Sequence, residues 1–125
     1  MDRKITKIDI ITRPSKLEEL KDALNSIGVL GMTVSQVYGC GLQRGHKEVF
    51  RGKEYDVNLV PKIKLEMVVC EVPVEKVLEV AQKVLRTGKF GDGKIFVYEL
   101  ADAVRIRTGQ RGAEAIMDIP GEKPE

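Results

Sequence analysis

Residues 39–62 read GCGLQRGHKEVFRGKEYDVNLVPK, and what flanks them decides the fold. The stretch holds four glycines (Gly39, Gly41, Gly45, Gly52), the only histidine (His46), charges of both signs and two aromatic residues, Phe50 and Tyr55. It is too long and too polar for a hairpin turn. Compact domains keep a connection of this length mainly where the loop has a task. An apolar tip on a long loop suits a surface meant for a partner. The plain alternative is an insertion tolerated because closing a longer loop costs little.

Working outward, residues 5–11 are short and β-branched, which predicts a strand. Ser15 and Glu18 have capping-box spacing, so a helix is expected from Lys16. Leu17, Leu20, Leu24 and Ile27 form its buried stripe, and Gly28 suits its left-handed closing residue. Residues 32–38 read as a second strand. Beyond the loop, residues 57–70 are the longest strand candidate. There Ile63, Leu65, Met67 and Val69 alternate with Lys62, Lys64 and Glu66, so one face should be covered. Pro73 opens a second helix with Val74, Val77, Leu78, Ala81, Val84 and Leu85 as its stripe, and Gly88 ends it. Residues 95–100 read as a strand and residues 101–108 as a further extended piece. From Gly109 onward the chain is expected to fray. A strand–helix–strand unit therefore stands on each side of the loop. That predicts an α+β domain with ferredoxin-like βαββαβ ordering, a four-stranded antiparallel sheet with both helices on one face. The other face is expected to be aliphatic and to need cover from a second copy.

At 125 residues the chain is one domain, and a chain of that length buries about two-thirds of its unfolded surface. Lys and Arg total 21 against 19 Asp and Glu, a net charge of +2. That excludes wholesale phosphate-backbone binding, so no nucleic-acid partner is expected and any anion site must be local. Two cysteines, Cys40 and Cys70, make no disulfide framework and lack metal spacing. The N-terminus has no signal-peptide core and no run approaches a membrane span, so a cytoplasmic protein without membrane insertion is expected.

GDGK, residues 91–94, is the sharpest local signal. Two glycines let successive N–H groups converge on an anion, and Lys94 adds a point charge; a simple glycine turn explains the motif equally well. Arg105 and Arg107, two apart in an extended segment, would share a face and offer two guanidinium forks to a polyphosphate. The alternative is a solvated strand edge. Gly39-Cys40-Gly41 lacks the helix and third glycine of a dinucleotide fingerprint. His46 could be a phosphotransfer nucleophile, although a lone loop histidine is ordinarily a surface residue. The central strands carry no aromatic platform for RNA.

These pieces join in one resemblance. TGKFGDGKIFVYEL (residues 87–100) is similar to a signature of the PII nitrogen-regulatory signalling family. GMTV (31–34), QRGHKEVFRGKEY (43–55), LVPK (59–62) and RIRTG (105–109) match it in the same order. The resemblance implies a homotrimer of ferredoxin-like subunits spanning residues 1–112, with a C-terminal tail over 113–125. It implies a T-loop over 41–57, a B-loop over 87–92 and a C-loop over 102–109. ATP and ADP would compete for clefts between subunits. Thr33, Gly39, Gly41, Gln43, Thr87, Gly91, Asp92, Gly93, Lys94, Arg105 and Arg107 are the implied nucleotide residues. 2-Oxoglutarate would bind beside Mg-ATP through Gln43, Lys62 and Gly91, with Gln43 ligating the metal. The T-loop, including Arg51 and Tyr55, would engage an ammonium transporter, nitrogen-assimilation enzymes or regulators. Tyr55 falls where many members are uridylylated, but Phe50 and Lys53 depart from the usual flanking pattern. Leu42 stands where a basic residue often meets nucleotide. The implied activity is non-enzymatic sensing; a phosphotransfer enzyme using His46 and a purely structural oligomeric module are the alternatives.

Overall fold

The computed structural model of the protein describes residues 4–41, 48–50, 53–55 and 58–117. Its elements are β1 (Ile5–Thr12), α1 (Leu17–Ser26), β2 (Thr33–Gly41), β3 (Glu48–Phe50), β4 (Lys53–Tyr55), β5 (Asn58–Val69), α2 (Val74–Leu85) and β6 (Lys94–Leu100). The sheet order is β2-β5-β1-β6, every neighbouring pair antiparallel. This is the ferredoxin-like βαββαβ arrangement that the strand–helix–strand repeat predicts.

Alternation along the strands decides what each face carries. Ile8 and Ile10 of β1 and Leu65, Met67 and Val69 of β5 point to one side and are buried there. Leu20 and Leu24 of α1 and Val77, Ala81 and Leu85 of α2 close over them, at helical spacing. Leu17, Ile27, Val74 and Val84 pack at the edge of this core. Val80 joins them in the place expected of Leu78. The α1 start differs from expectation. A turn of 3₁₀ helix at Pro14–Lys16 precedes it, and no side chain caps either helix start. Pro14, with its fixed φ, starts the turn in place of a Ser15–Glu18 capping box. Gly28 takes positive φ just past the end of α1, as a left-handed closing residue does. α2 ends at Leu85 with Arg86 already extended, so Gly88, also at positive φ, turns the following loop and does not close the helix.

The helix-free face corrects a second expectation. Pairing sets Thr33, Glu66, Asp9 and Phe96 in one row across it, and Lys7 beside Tyr98 in the next. Its centre is therefore charged rather than aliphatic. The Lys7 ammonium lies 3.0 Å from Glu66 and 3.5 Å from Asp9, and Lys64 lies 3.6 Å from Glu66 and 3.8 Å from Asp9. The same alternation that buries Ile63 and Leu65 forces Lys64 and Glu66 to this side. Lys7 also stands 5.5 Å from the Tyr98 ring centroid. Its hydrogen bond holds the Glu66 carboxyl below the ordinary range.

Two further readings change. The long connection contains a two-stranded ribbon, β3 with β4, in which Glu48 pairs with Tyr55. The segment after β6 is not extended throughout. Val104 bridges to Arg111, Arg105 N–H donates to Gln110 O and Gly109 N–H to Arg105 O, so residues 105–110 form a tight turn. Residues 112–115 then make a 3₁₀ turn held by hydrogen bonds, so the fraying expected from Gly109 does not occur through Met117.

Candidate functional site

The loop over residues 87–92 is built around one carboxylate. Asp92 accepts from the Thr87 hydroxyl, from the N–H groups of Thr87 (2.8 Å) and Gly88 (3.0 Å), and from the Arg13 guanidinium (2.6 Å). The Thr87 hydroxyl, then Arg13, hold its carboxyl far below the ordinary range. Thr12 ties the loop to β1 by donating to Asp92 O at 2.8 Å. Arg13 also donates to Phe90 O at 2.6 Å, and the Lys62 ammonium donates to Gly91 O at 2.8 Å. Two cations therefore grip the outer turn of a glycine loop. Asp92 is spent on shaping that loop, which suits a negatively charged group better than direct contact with another anion.

Gly91 and Gly93 have φ of +96° and +105°. Such backbone lets consecutive N–H groups turn toward one side, as the nest reading of GDGK requires. Gly93 has a stricter reason as well. A Cβ there would sit 1.9 Å from Ile11 O. Lys94 follows at once and pairs with Ile11 at the start of β6. Gly39 approaches β5 closely: a Cβ there would lie 3.5 Å from Lys62 Cγ. Gly39, Lys62, Gly91, Phe90 and Arg13 line one cavity of about 650 Å³.

Thr33 belongs to a different place. It lies on the same strand as Gly39, roughly 20 Å away at about 3.3 Å per residue. There it lines a cavity of about 510 Å³ with Gly31, Glu66, Val68, Ile116 and Met117. Arg105 is turned toward that side: its Nε donates to Ala115 O at 3.2 Å and its Nη2 to Met117 O. Arg107 stands exposed in the turn beyond it. The two arginines do not share an extended face, because the chain turns over residues 106–108 immediately after Arg105. One chain thus brings Gly39, Lys62, Thr87, Gly91, Asp92, Gly93 and Lys94 to one end of the sheet. Thr33 and Arg105 form a second group. Gln43, His46 and Arg51 lie outside the described residues, and Gly41 and Tyr55 are described only as backbone of β2 and β4.

Sequence reasoning missed Arg13, whose only signal is a cation between a strand and Pro14. It also missed Glu66 as a cavity residue, since alternation alone marks it as merely exposed. Among the described residues no group of three or more His, Cys, Asp and Glu could hold a metal ion. Among them, too, no helix is long and apolar enough to cross a membrane.

The fold and site define a ferredoxin-like α+β domain with a cation-gripped glycine loop at one end of its sheet. Comparison with known proteins gives the family. The model for nitrogen regulatory protein P-II matches residues 5–110. The nitrogen regulatory PII-like protein of Bacillus subtilis is 48% identical over 116 residues, covering 93% of this chain and all of that protein. Nitrogen regulatory protein P-II of Rhodospirillum rubrum is 50% identical over 110 residues, 88% of this chain and 98% of that one. Among solved structures, the B. subtilis GlnK–ATP complex superposes with a TM-score of 0.78 at 45% identity, covering 92% of this chain and 98% of that one. The chain belongs to the nitrogen regulatory protein P-II family. Its relatives are named as regulatory proteins, not as enzymes.

Proposed function

We propose that this protein is a non-enzymatic cytoplasmic sensor of ATP, ADP and 2-oxoglutarate. In this reading it works as a homotrimer and controls an ammonium transporter or nitrogen-assimilation enzymes and regulators through the loop over residues 41–57. The observation that carries the reading is the bond from Lys62 to Gly91 O. It joins the strand on which that loop returns to the glycine loop proposed to hold phosphates. A solved relative, GlnK of B. subtilis, is described as an ATP complex, which supports the nucleotide assignment.

In this reading Gly91, Gly93 and Lys94 take the phosphates, Gly39 and Gly41 shape the cleft, and Thr87 and Asp92 keep the loop in form. Thr33, Arg105 and Arg107 come from the other group of residues. Two separate groups, with Gly39 and Thr33 roughly 20 Å apart along β2 at about 3.3 Å per residue, support a cleft completed by a second copy, one chain giving the glycine loop and its neighbour the Thr33 side. A magnesium ion arriving with ATP would find no preformed cluster among the described residues. The family resemblance assigns Gln43 to holding it, and the ion would supply charge neutralisation when bound. Lys62 and Gly91 would meet 2-oxoglutarate, with Lys62 pairing one carboxylate. Arg51 and Tyr55 belong to the partner-facing loop, with Tyr55 the candidate uridylylation site.

Calorimetric titration tests the proposal. 2-Oxoglutarate should bind in the presence of Mg-ATP and not with ADP or alone. Lys62→Ala should abolish that binding while ADP still binds. Tight 2-oxoglutarate binding without nucleotide, or unaltered binding by Lys62→Ala, would refute it.

A further inference from the structure

Arg105 is half-buried, and its guanidinium is already occupied by the chain itself. Its Nε and Nη2 donate to the backbone carbonyls of Ala115 and Met117. The next residues of the same segment, Ile116 and Met117, line the cavity onto which Thr33 opens. A single short segment therefore holds Arg105 and shares a cavity with Thr33, the two members of the second group of proposed nucleotide residues. Two carbonyl oxygens beside a guanidinium offset its positive potential and fill part of its fork. An incoming phosphate must compete with them.

The segment is latched at its base. Asp102 Oδ1 accepts from Ala103 N–H (2.8 Å) and Gly112 N–H (3.0 Å), and its Oδ2 accepts from Arg111 Nε (2.8 Å) and Nη2. Arg111 holds the Asp102 carboxyl below the ordinary range. The latch is solvent-exposed, and exposed ion pairs are weak ties that open readily. Beyond it the segment is kept turned by the N–H groups of Ile116 and Met117, both donating to Ala113 O at 3.2 Å.

We propose that residues 112–117 are a built-in competitor for the phosphate-binding guanidinium of Arg105, docked in the nucleotide-free chain and displaced when nucleotide binds. The inference rests on the nucleotide reading of Arg105 given above. Charge-assisted bonds to phosphate are stronger than bonds to neutral carbonyls, which gives the nucleotide its advantage. By reciprocity, the factor by which docking weakens nucleotide binding is the factor by which nucleotide weakens docking.

Two measurements on the full chain test this. In hydrogen exchange, ATP should accelerate exchange at the amides of Ile116 and Met117. In calorimetry, Asp102→Ala, which unlatches the segment without touching the glycine loop, should bind ATP about 3–10-fold more tightly, since the docked fraction no longer lowers the apparent affinity. Unchanged or increased amide protection with ATP would overturn the proposal. So would an Asp102→Ala chain that keeps its circular dichroism and thermal transition yet binds ATP no more tightly. If neither chain binds ATP at all, the nucleotide reading itself fails, and the competitor with it.

Discussion

Gly93→Ala is the most exacting substitution the structure offers. Gly93 sits at φ +105°, where an L side chain is strained. The added Cβ would be placed 1.9 Å from Ile11 O, 2.9 Å from Ile11 C and 3.0 Å from Thr12 Cα. All three are backbone atoms, so no side chain can swing away. The start of β6 must separate from β1 at the Ile11–Lys94 pair. Backbone strain of this kind costs about 1–3 kcal/mol. Forcing an extra carbon into a packed contact costs about 1–3 kcal/mol more. The expected loss, about 2–6 kcal/mol, is a large share of the roughly 5–15 kcal/mol that holds a domain together. Gly88→Ala is the control: φ is +83° but nothing lies within 4 Å of the new Cβ, so only the strain applies. Urea unfolding of both variants separates the two contributions. A Gly93→Ala chain within about 0.5 kcal/mol of Gly88→Ala would show that the Ile11 contact is not what requires glycine, since distant, independent effects add to about that precision. Because Thr12 also ties this turn to Asp92 O, the same variant should lose ATP affinity.

Three other outcomes follow from the site. The Asp92 carboxyl is held low by the Thr87 hydroxyl and Arg13, so its contribution to stability is complete above the unfolded-state pKa of about 3.9 and is lost as pH falls below that value. The stability gap between the natural chain and Asp92→Asn should therefore be constant above about pH 5 and shrink toward pH 2 in urea titrations; a gap independent of pH contradicts the assignment. Arg107→Ala should remove a charge-assisted contact of about 1.5–3 kcal/mol, weakening ATP by roughly one to two decades in calorimetry; unchanged affinity takes Arg107 out of the site. Light scattering on a size-exclusion column should give three times the chain mass, and a monomer at micromolar concentration would leave the two groups of site residues unjoined.

The fold was legible because both of its periodicities are clean. Ile63, Leu65, Met67 and Val69 mark a half-covered strand, and Leu20 with Leu24 marks a helix face; neither depends on distant contacts. The chemistry of the helix-free face was less legible. Alternation placed Lys64 and Glu66 there, but only the strand order sets Lys7 and Asp9 beside them. Arg105 and Arg107 misled for a related reason. Their spacing fits a strand face, yet Gly109 at φ +76° lets the chain turn, and the turn sends one guanidinium inward. Arg13 was invisible because its partner Asp92 lies 79 residues away, and no local pattern records that pairing.

Lys62 is where these separate observations converge. It stands near the start of β5, paired with Val37, where the chain returns from the long connection. Its aliphatic stem lies against Gly39, on the strand by which the chain leaves for that connection. Its ammonium ends on Gly91 O, in the loop that Arg13 and Asp92 hold in shape. One side chain therefore touches both flanks of the connection and the glycine loop. A ligand carboxylate that draws the ammonium away from Gly91 must alter the restraint on all three at once. Under the proposed function, coupling between nucleotide and keto acid needs no long pathway, because both sites bias the same lysine. The backbone at position 39 is part of that arrangement, since the stem that the lysine must move lies within van der Waals reach of it.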